Sequence, residues 1–230
     1  MTKRPAGSTT GVRAGDIAVI AAFAALIIVL GGVTVPVGGA GVPIVLQNMG
    51  IALATMILGW RRGGLAVLLF LGVGFLGVPN MAGWTPALSA VSGPTVGYIV
   101  GYAVVGFLVG ALCDLSSRIP RVAGNPALLT VWFTVAGLIG VTVQYLCGSV
   151  GLMVRTGMDF GAALTSNGPF IPGDIVKVVV AALIATAVLR AIPDLRPRRS
   201  TGPAVSVSGT PDAPDADDPA GRATTPTQAV

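Results

Sequence analysis

The chain has 230 residues, of which 53% are hydrophobic and only 10% are charged, and its net charge is +5. Because soluble domains carry about 25% charged residues, this composition predicts an integral membrane protein and excludes a soluble enzyme. The sequence contains no His and no Glu, which removes His-based acid–base catalysis and the usual zinc ligand sets, so we predict no catalytic residue, no metal site and no cofactor.

Six apolar segments alternate with charged or Pro- and Gly-rich connections. They are Ile17–Val35, Ile44–Trp60, Leu65–Val78, Pro94–Leu112, Pro126–Met153 and Pro172–Leu189. About 20 apolar residues are enough for a helix to cross a bilayer, and the third segment is short by this measure. The pattern predicts an all-α integral membrane protein with six transmembrane helices.

The basic residues indicate how these helices are oriented. Of the 14 Lys and Arg residues, all but Arg155 and Lys177 fall on one side of the predicted membrane. Cytoplasmic loops carry the excess of Lys and Arg, so both termini are expected in the cytoplasm, and the positive charge needs no nucleic-acid partner. The predicted parts are a cytoplasmic head at residues 1–15, a six-helix membrane domain at 16–190 and a disordered cytoplasmic tail at 191–230.

The sixth segment carries ionisable residues away from its ends. Asp174 and Lys177 are three residues apart, so they can share one face of a helix and form an ion pair. An ionisable residue inside a membrane is costly and is a functional candidate by default. The alternative is that Asp174 only caps the helix while Lys177 extends to the membrane surface. We favour a ligand site because Lys177 lies several residues into the segment.

Other polar and aromatic residues fall on the same external side as the start of the sixth segment. Amide groups both donate and accept hydrogen bonds, and aromatic rings supply apolar walls. These residues are Gln47, Asn48, Asn80, Trp84, Gly93, Tyr98, Gln144, Tyr145 and Asn167. Trp84 and Tyr98 could instead belong to the aromatic belt at the membrane surface. Their convergence predicts a vestibule for a small amphiphilic molecule.

Small residues recur at helical spacing in the first segment. Ala18 and Ala22, and likewise Ala21 and Ala25, are four residues apart. This spacing lets another helix approach closely, although it also arises by chance in Ala-rich helices.

Four stretches of the sequence resemble the BioY family. They are Val42–Gln47 (VPIVLQ), Arg61–Gly63 (RRG), Gly93–Tyr98 (GPTVGY) and Pro169–Lys177 (PFIPGDIVK). The similarity covers about residues 16–190, and the last two stretches together are quite specific to the family. The sequence departs from the family at Val96, where Gly is usual.

The resemblance implies a biotin-specific substrate-binding (S) component of an energy-coupling-factor (ECF) transporter. Such a protein is a six-helix subunit of the bacterial cytoplasmic membrane that binds biotin in an external pocket and catalyses nothing itself. The resemblance also implies a transmembrane T component and two cytoplasmic ATPases as partners within the lipid bilayer, with the T component contacting Ala18, Ala21, Ala22 and Ala25.

Matching of motif positions makes Asp174 and Lys177 the foremost ligand-site residues. The remaining candidates are Gln47, Asn80, Trp84, Gly93, Tyr98 and Asn167. The residues do not decide which end of biotin meets Lys177. They also leave open an S component for another vitamin, a facilitator without ATPases, and a structural membrane subunit without a ligand.

Overall fold

The computed structural model describes residues 14–36 and 43–196. Most of the predicted head, the middle of the first connection and the tail from residue 197 onward lie outside the described residues. The helices are α1 (Ala14–Gly31), α2 (Gln47–Phe75), α3 (Ala87–Ser92), α4 (Val96–Leu115), α5 (Pro120–Gly124), α6 (Pro126–Thr156), α7 (Phe160–Thr165) and α8 (Ile171–Ala191). A short antiparallel hairpin joins β1 (Thr34–Pro36) to β2 (Pro43–Val45).

Within the described ranges, five helical stretches are long and apolar enough to cross a membrane. They are Ala14–Gly31, Gln47–Phe75, Val96–Arg118, Pro126–Thr156 and Phe160–Ala191. The expected class, a helical membrane protein with several spans, is therefore confirmed. One departure concerns the first two predicted segments, because Thr34, Val35 and Ile44 lie in the β-hairpin rather than in helices.

Helix α2 contains both the second and the third predicted segment. A straight helix of its 29 residues would place its ends about 42 Å apart. Gln47, at its start, nevertheless donates a hydrogen bond of 2.7 Å to the carbonyl of Asn80, shortly after its end. The backbone leaves helical geometry at Gly59 (φ 76°, ψ −170°), a conformation open in practice only to glycine. A Cβ on Gly63 would lie 2.8 Å from the Cα of Thr55, so α2 consists of two antiparallel arms joined at Gly59.

Helix α2 lies at the centre of the bundle. It packs against α1, α4 and α8, and α6 closes the bundle by packing against α4 and α8. Met56, Phe70 and Phe133 are completely buried in the shared core. Helices α4 and α6 approach closely where Gly97 contacts Gly151, since a Cβ on Gly151 would lie 2.6 Å from the Gly97 backbone. Association of helices in a membrane depends on such tight packing, because lipid is as apolar as the helix surfaces.

Arg196 contacts α2, α4 and α6 at the end of the bundle that contains Gly59. Its guanidinium donates to the carbonyls of Ile57 and Cys113, both at 3.1 Å, and lies 5.2 Å from the centre of the Phe133 ring. Burial lowers the pKa of Arg196 from its ordinary value.

A second arginine, Arg62, binds the segment that follows α8. Arg62 forms an ion pair of 2.5 Å with Asp16 and donates a hydrogen bond of 2.9 Å to the carbonyl of Leu195. The packed part of the chain therefore extends at least to Arg196, beyond the boundary predicted at residue 190. Backbone carbonyls at the helix ends supply hydrogen-bond partners for both Arg62 and Arg196.

Candidate ligand-binding site

Asp174 and Lys177 form a buried ion pair near the start of α8. Their residues are only 3% and 8% exposed, and the Lys177 Nζ lies 2.5 Å from the Asp174 Oδ1. The Lys177 ammonium also donates to the carbonyl oxygen of Val45 in β2 at 2.9 Å. Tyr145 of α6 donates its hydroxyl to the Asp174 Oδ2 at 2.5 Å. Buried charges are tolerated when they are paired and hydrogen-bonded in this way.

These contacts exclude the alternative in which Asp174 caps the helix and Lys177 extends to the membrane surface. Phe170 occupies the N-cap position of α8 without a side-chain hydrogen bond, so Asp174 does not cap the helix. Its carboxylate lies in the first turn, where the helix dipole favours a negative charge. Lys177 points to Val45 and Asp174 rather than to the membrane surface. The ion pair expected from the spacing is therefore present and is directed into the bundle.

A small cavity borders the ion pair between α2, α4, α6 and α8. Its polar lining comes from Asn48, Gln144, Asp174 and Lys177, and the rest of its wall is apolar. The free volume is about 20 Å³, which is room for roughly one water molecule. A ring-sized ligand would therefore require the surrounding side chains or helices to move apart.

Two other predicted site residues meet in a second cluster. The Tyr98 hydroxyl donates to the Asn167 Oδ1 at 2.6 Å. The Asn167 amide in turn donates to the Ser149 Oγ at 3.1 Å and to the Ala163 carbonyl at 3.2 Å. This network joins α4, α6 and α7. Neither Tyr98 nor Asn167 lines the small cavity, and their polar groups bond to each other in this conformation.

Gln47 and Asn80 form a third cluster, near the start of α2. The Gln47 amide donates to the Asn80 carbonyl, and the Asn80 Nδ2 donates to the carbonyl of Phe70 at 2.5 Å. Asn80 is completely buried, and its Oδ1 has no hydrogen-bond partner among the described residues. A buried acceptor without a donor is costly. The Asn80 Oδ1 is therefore an acceptor that lacks a donor among the described residues in this conformation.

Trp84 and Gly93 lie away from the ion pair. Trp84 is 56% exposed, and its ring lies where a Cβ on Gly32 would clash with it. Gly93 follows the last residue of α3, and its amide bonds to the Ala90 carbonyl at 3.2 Å. Neither residue borders the cavity.

The alanine stripe lies on the outer face of α1. Ile20, Ala24 and Ile27 make up the buried face of this helix. The stripe residues Ala18, Ala21, Ala22 and Ala25 are all exposed. Small side chains there leave the helix backbone open to close approach by another helix.

Several residues beside the ion pair belong to the predicted vestibule but not to the candidates taken from the family resemblance. Asn48, Gln144 and Tyr145 were recognised as polar residues on the external side, and their signal was a polar side chain within an apolar segment. The carbonyl of Val45 carries no such signal, because every residue has one. Its role follows only from the position of β2 over α8.

Comparison with known proteins agrees with the resemblance seen in the sequence. A family model described as "BioY family" matches residues 2–194. The "Biotin transporter BioY" of Rhizobium etli is 36% identical over 80% of this chain and 97% of its own. That of Rhodobacter capsulatus is 37% identical over 75% of this chain and 92% of its own.

A solved structure has the same fold. It is described as the "S-component for biotin from an ECF-type ABC transporter" and superposes with a TM-score of 0.66. The two chains are 28% identical, and the match covers 80% of this chain and 95% of the other. Together with the match of the family model over most of the sequence, this likeness establishes that the chain belongs to the BioY family.

Proposed function

We propose that the chain binds biotin and delivers it across the membrane as the S component of an ECF transporter. The observation that carries the proposal is the buried Asp174–Lys177 pair beside a cavity with amide groups, within a BioY-family chain. Relatives named as biotin transporters, and the likeness to an S component for biotin, support the choice of ligand.

The chemistry of biotin fits the polar groups of this region. Its ureido ring has two N–H donors and one carbonyl acceptor, and its tail ends in a carboxylate. The Asp174 carboxylate beside the cavity is an acceptor for ureido N–H groups, and the Asn80 Oδ1 is a further acceptor, in the separate cluster near the start of α2. The Lys177 ammonium is a donor for the ureido carbonyl or for the carboxylate. Apolar residues in the cavity wall, such as Val105 and Val141, suit the thiophane ring.

The small size of the cavity implies that binding opens it. Lys177 would exchange the Val45 carbonyl for an oxygen of the ligand, which keeps its charge partnered. This exchange would also release β2 from α8. The ligand would thus take over a bond that closes the site in its absence.

The decisive experiment is titration calorimetry of biotin into the purified full-length chain in detergent, with dethiobiotin and thiamine as comparison ligands. Tight binding of biotin and none of thiamine supports the proposal. A folded chain that binds thiamine or another vitamin instead refutes the choice of biotin. A folded chain that binds no vitamin favours a structural subunit.

Biotin methyl ester tells which end of the ligand meets Lys177. The ester removes the negative charge of the tail and leaves the ureido ring unchanged. An affinity close to that of biotin places the ureido ring at Lys177. A loss of roughly tenfold or more places the carboxylate there, since hydrogen bonds to charged groups contribute about 1.5–3 kcal/mol.

The remaining expectations concern the assembly. The proposed topology has six spans with both termini in the cytoplasm of a bacterial cell, counting the two arms of α2 as separate spans. A T component and two ATPases would couple transport to ATP, and the exposed alanine stripe of α1 offers a surface for the T component. The chain itself would act only as the binding subunit.

A further inference from the structure

An apolar groove lies on the outer surface of the bundle between α4 and α6. Its volume is about 430 Å³, and it is separate from the small cavity beside the ion pair. Its walls include Val96, Val100, Leu146, Val150, Val154 and Arg155. The contact between Gly97 and Gly151 forms its floor, because neither residue has a side chain to fill the space.

The apolar wall of the groove suits a hydrocarbon chain rather than a polar ligand. Apart from Arg155, its wall consists of apolar side chains and glycines around Cys147. Val100, Leu146 and Val150 are 54%, 43% and 47% exposed, so the wall faces the surroundings of the bundle. An apolar wall provides no partner for the hydrogen-bonding groups of a polar ligand, which would lose its water without compensation.

The length of the groove along α6 is close to half the thickness of a bilayer's hydrocarbon core. From Val154 near the end of α6 to Leu146 the helix rises about 12 Å, and half of a bilayer's hydrocarbon core is about 15 Å. Arg155 lies in the last turn of α6, at the end of a helix long enough to span the membrane. The cation is therefore at the level of lipid headgroups, and the apolar groove runs from it toward the bilayer centre.

Two hydrogen bonds hold Arg155 in place, and its guanidinium has further N–H groups with which it can bind a ligand. Its Nη2 donates to the carbonyls of Val91 and Ser92 at 3.1 and 2.6 Å. A guanidinium has five N–H groups, and the other three have no partner among the described residues. Asp159, the nearest acidic residue along the chain, instead accepts a bond of 2.8 Å from the Gly161 amide as the cap of α7. Arg155 can therefore bind an anion.

We propose that this groove binds one membrane phospholipid, with an acyl chain between α4 and α6 and its phosphate on Arg155. A planar guanidinium offers two parallel N–H donors to a phosphate. The bound lipid would fill the notch left by the two glycines and cover the α4–α6 contact. The site is independent of the ligand that the chain transports.

Photo-crosslinking of the full chain in lipid nanodiscs tests the proposal. The probe is a phosphatidylglycerol with a diazirine in the middle of one acyl chain, and the labelled residues are identified by mass spectrometry. We expect labelling of Val100, Leu146 and Val150 to exceed that of Val131 and Val135, which are exposed on α6 outside the groove. A diacylglycerol with the same photoreactive chain lacks phosphate and should lose this preference.

Variants separate the phosphate contact from the acyl-chain contact. We expect Arg155→Gln to lower groove labelling by about fivefold, the effect of one cation on an anionic lipid, and Arg155→Lys to retain most of it. Val150→Trp should fill the groove and lower the labelling, whereas Val131→Trp on the same helix should not.

Three results would overturn the proposal. One is equal labelling of all lipid-facing valines, which indicates ordinary surrounding lipid. Another is equal groove labelling by the diacylglycerol, which shows that phosphate is not recognised. The third is protection of the groove by a second copy of the chain, seen as cross-links between two chains. The comparison of the two lipids uses the unaltered chain, so it stands even if a variant fails to fold.

Discussion

Removal of the Lys177 charge is the most informative perturbation of the proposed biotin site. In the Lys177→Met variant, a neutral side chain of similar length replaces lysine. The hydrogen bond to the Val45 carbonyl and the ion pair with Asp174 are then both lost. Asp174, only 3% exposed, would keep Tyr145 as its remaining donor. Breaking a buried pair by removing one partner typically costs about 3–5 kcal/mol.

That cost reduces stability. The loss of the Lys177 donor to the ligand reduces affinity separately, since hydrogen bonds to charged groups contribute about 1.5–3 kcal/mol. We expect a clearly lower melting temperature and at least a tenfold weaker affinity for biotin, which corresponds to about 1.4 kcal/mol. Titration calorimetry in detergent measures the affinity, and thermal unfolding of the same sample measures the stability.

The double variant Asp174→Asn/Lys177→Met separates a structural pair from a ligand site. The double variant leaves no uncompensated charge buried, so the melting temperature should recover relative to Lys177→Met. Biotin affinity should stay low, since neither the carboxylate nor the ammonium is restored. A double variant that binds biotin as tightly as the unaltered chain would refute the assignment of Asp174 and Lys177 to the site.

Three further predictions concern the break in α2, the partner surface and the topology. Gly59→Ala should destabilise the fold by about 1–3 kcal/mol in thermal unfolding, because φ is 76° there and a Cβ would meet the Asp114 carboxylate. The control Gly72→Ala places its methyl group in open space and should not destabilise the fold. Ala22→Trp, on the exposed face of α1, should leave biotin binding intact and abolish co-purification with a T component; retained co-purification would argue against this surface. In a cysteine-free chain, a membrane-impermeant maleimide should label Met158→Cys in intact cells and leave Gly124→Cys unlabelled; the reverse pattern would invert the topology.

The helices of this protein were largely predictable, because a bilayer requires each spanning segment to satisfy its own backbone hydrogen bonds. The predicted segment Pro126–Met153 corresponds to α6 (Pro126–Thr156), and Pro172–Leu189 corresponds to α8 (Ile171–Ala191). The predicted helix boundaries are wrong where apolar residues next to a helix form a β-strand instead of continuing the helix. Val35 and Ile44 are apolar and flank helices, yet they pair across a β-hairpin.

The candidate site was predictable only in part. Asp174 and Lys177 are close in sequence on one helix, so their spacing alone predicted an ion pair, and the structure contains it. Asn80, Trp84 and Tyr98 come from separate connections and helix ends. Their relative positions depend on packing, and none of them lines the cavity beside the ion pair.

The sequence by itself determined the class of protein, the apolar spans, the α8 ion pair and the BioY resemblance. The class and the spans depend on composition and on runs of apolar residues, and the resemblance depends on four short stretches of sequence. The ion pair depends on residues within one turn of a helix, where geometry is set locally. Tertiary structure decided what is near the pair: the Val45 carbonyl, the Tyr145 hydroxyl and the small cavity. These neighbours come from distant parts of the chain. Their approach depends on how side-chain volumes and glycine contacts fit between helices, and no local pattern records that fit.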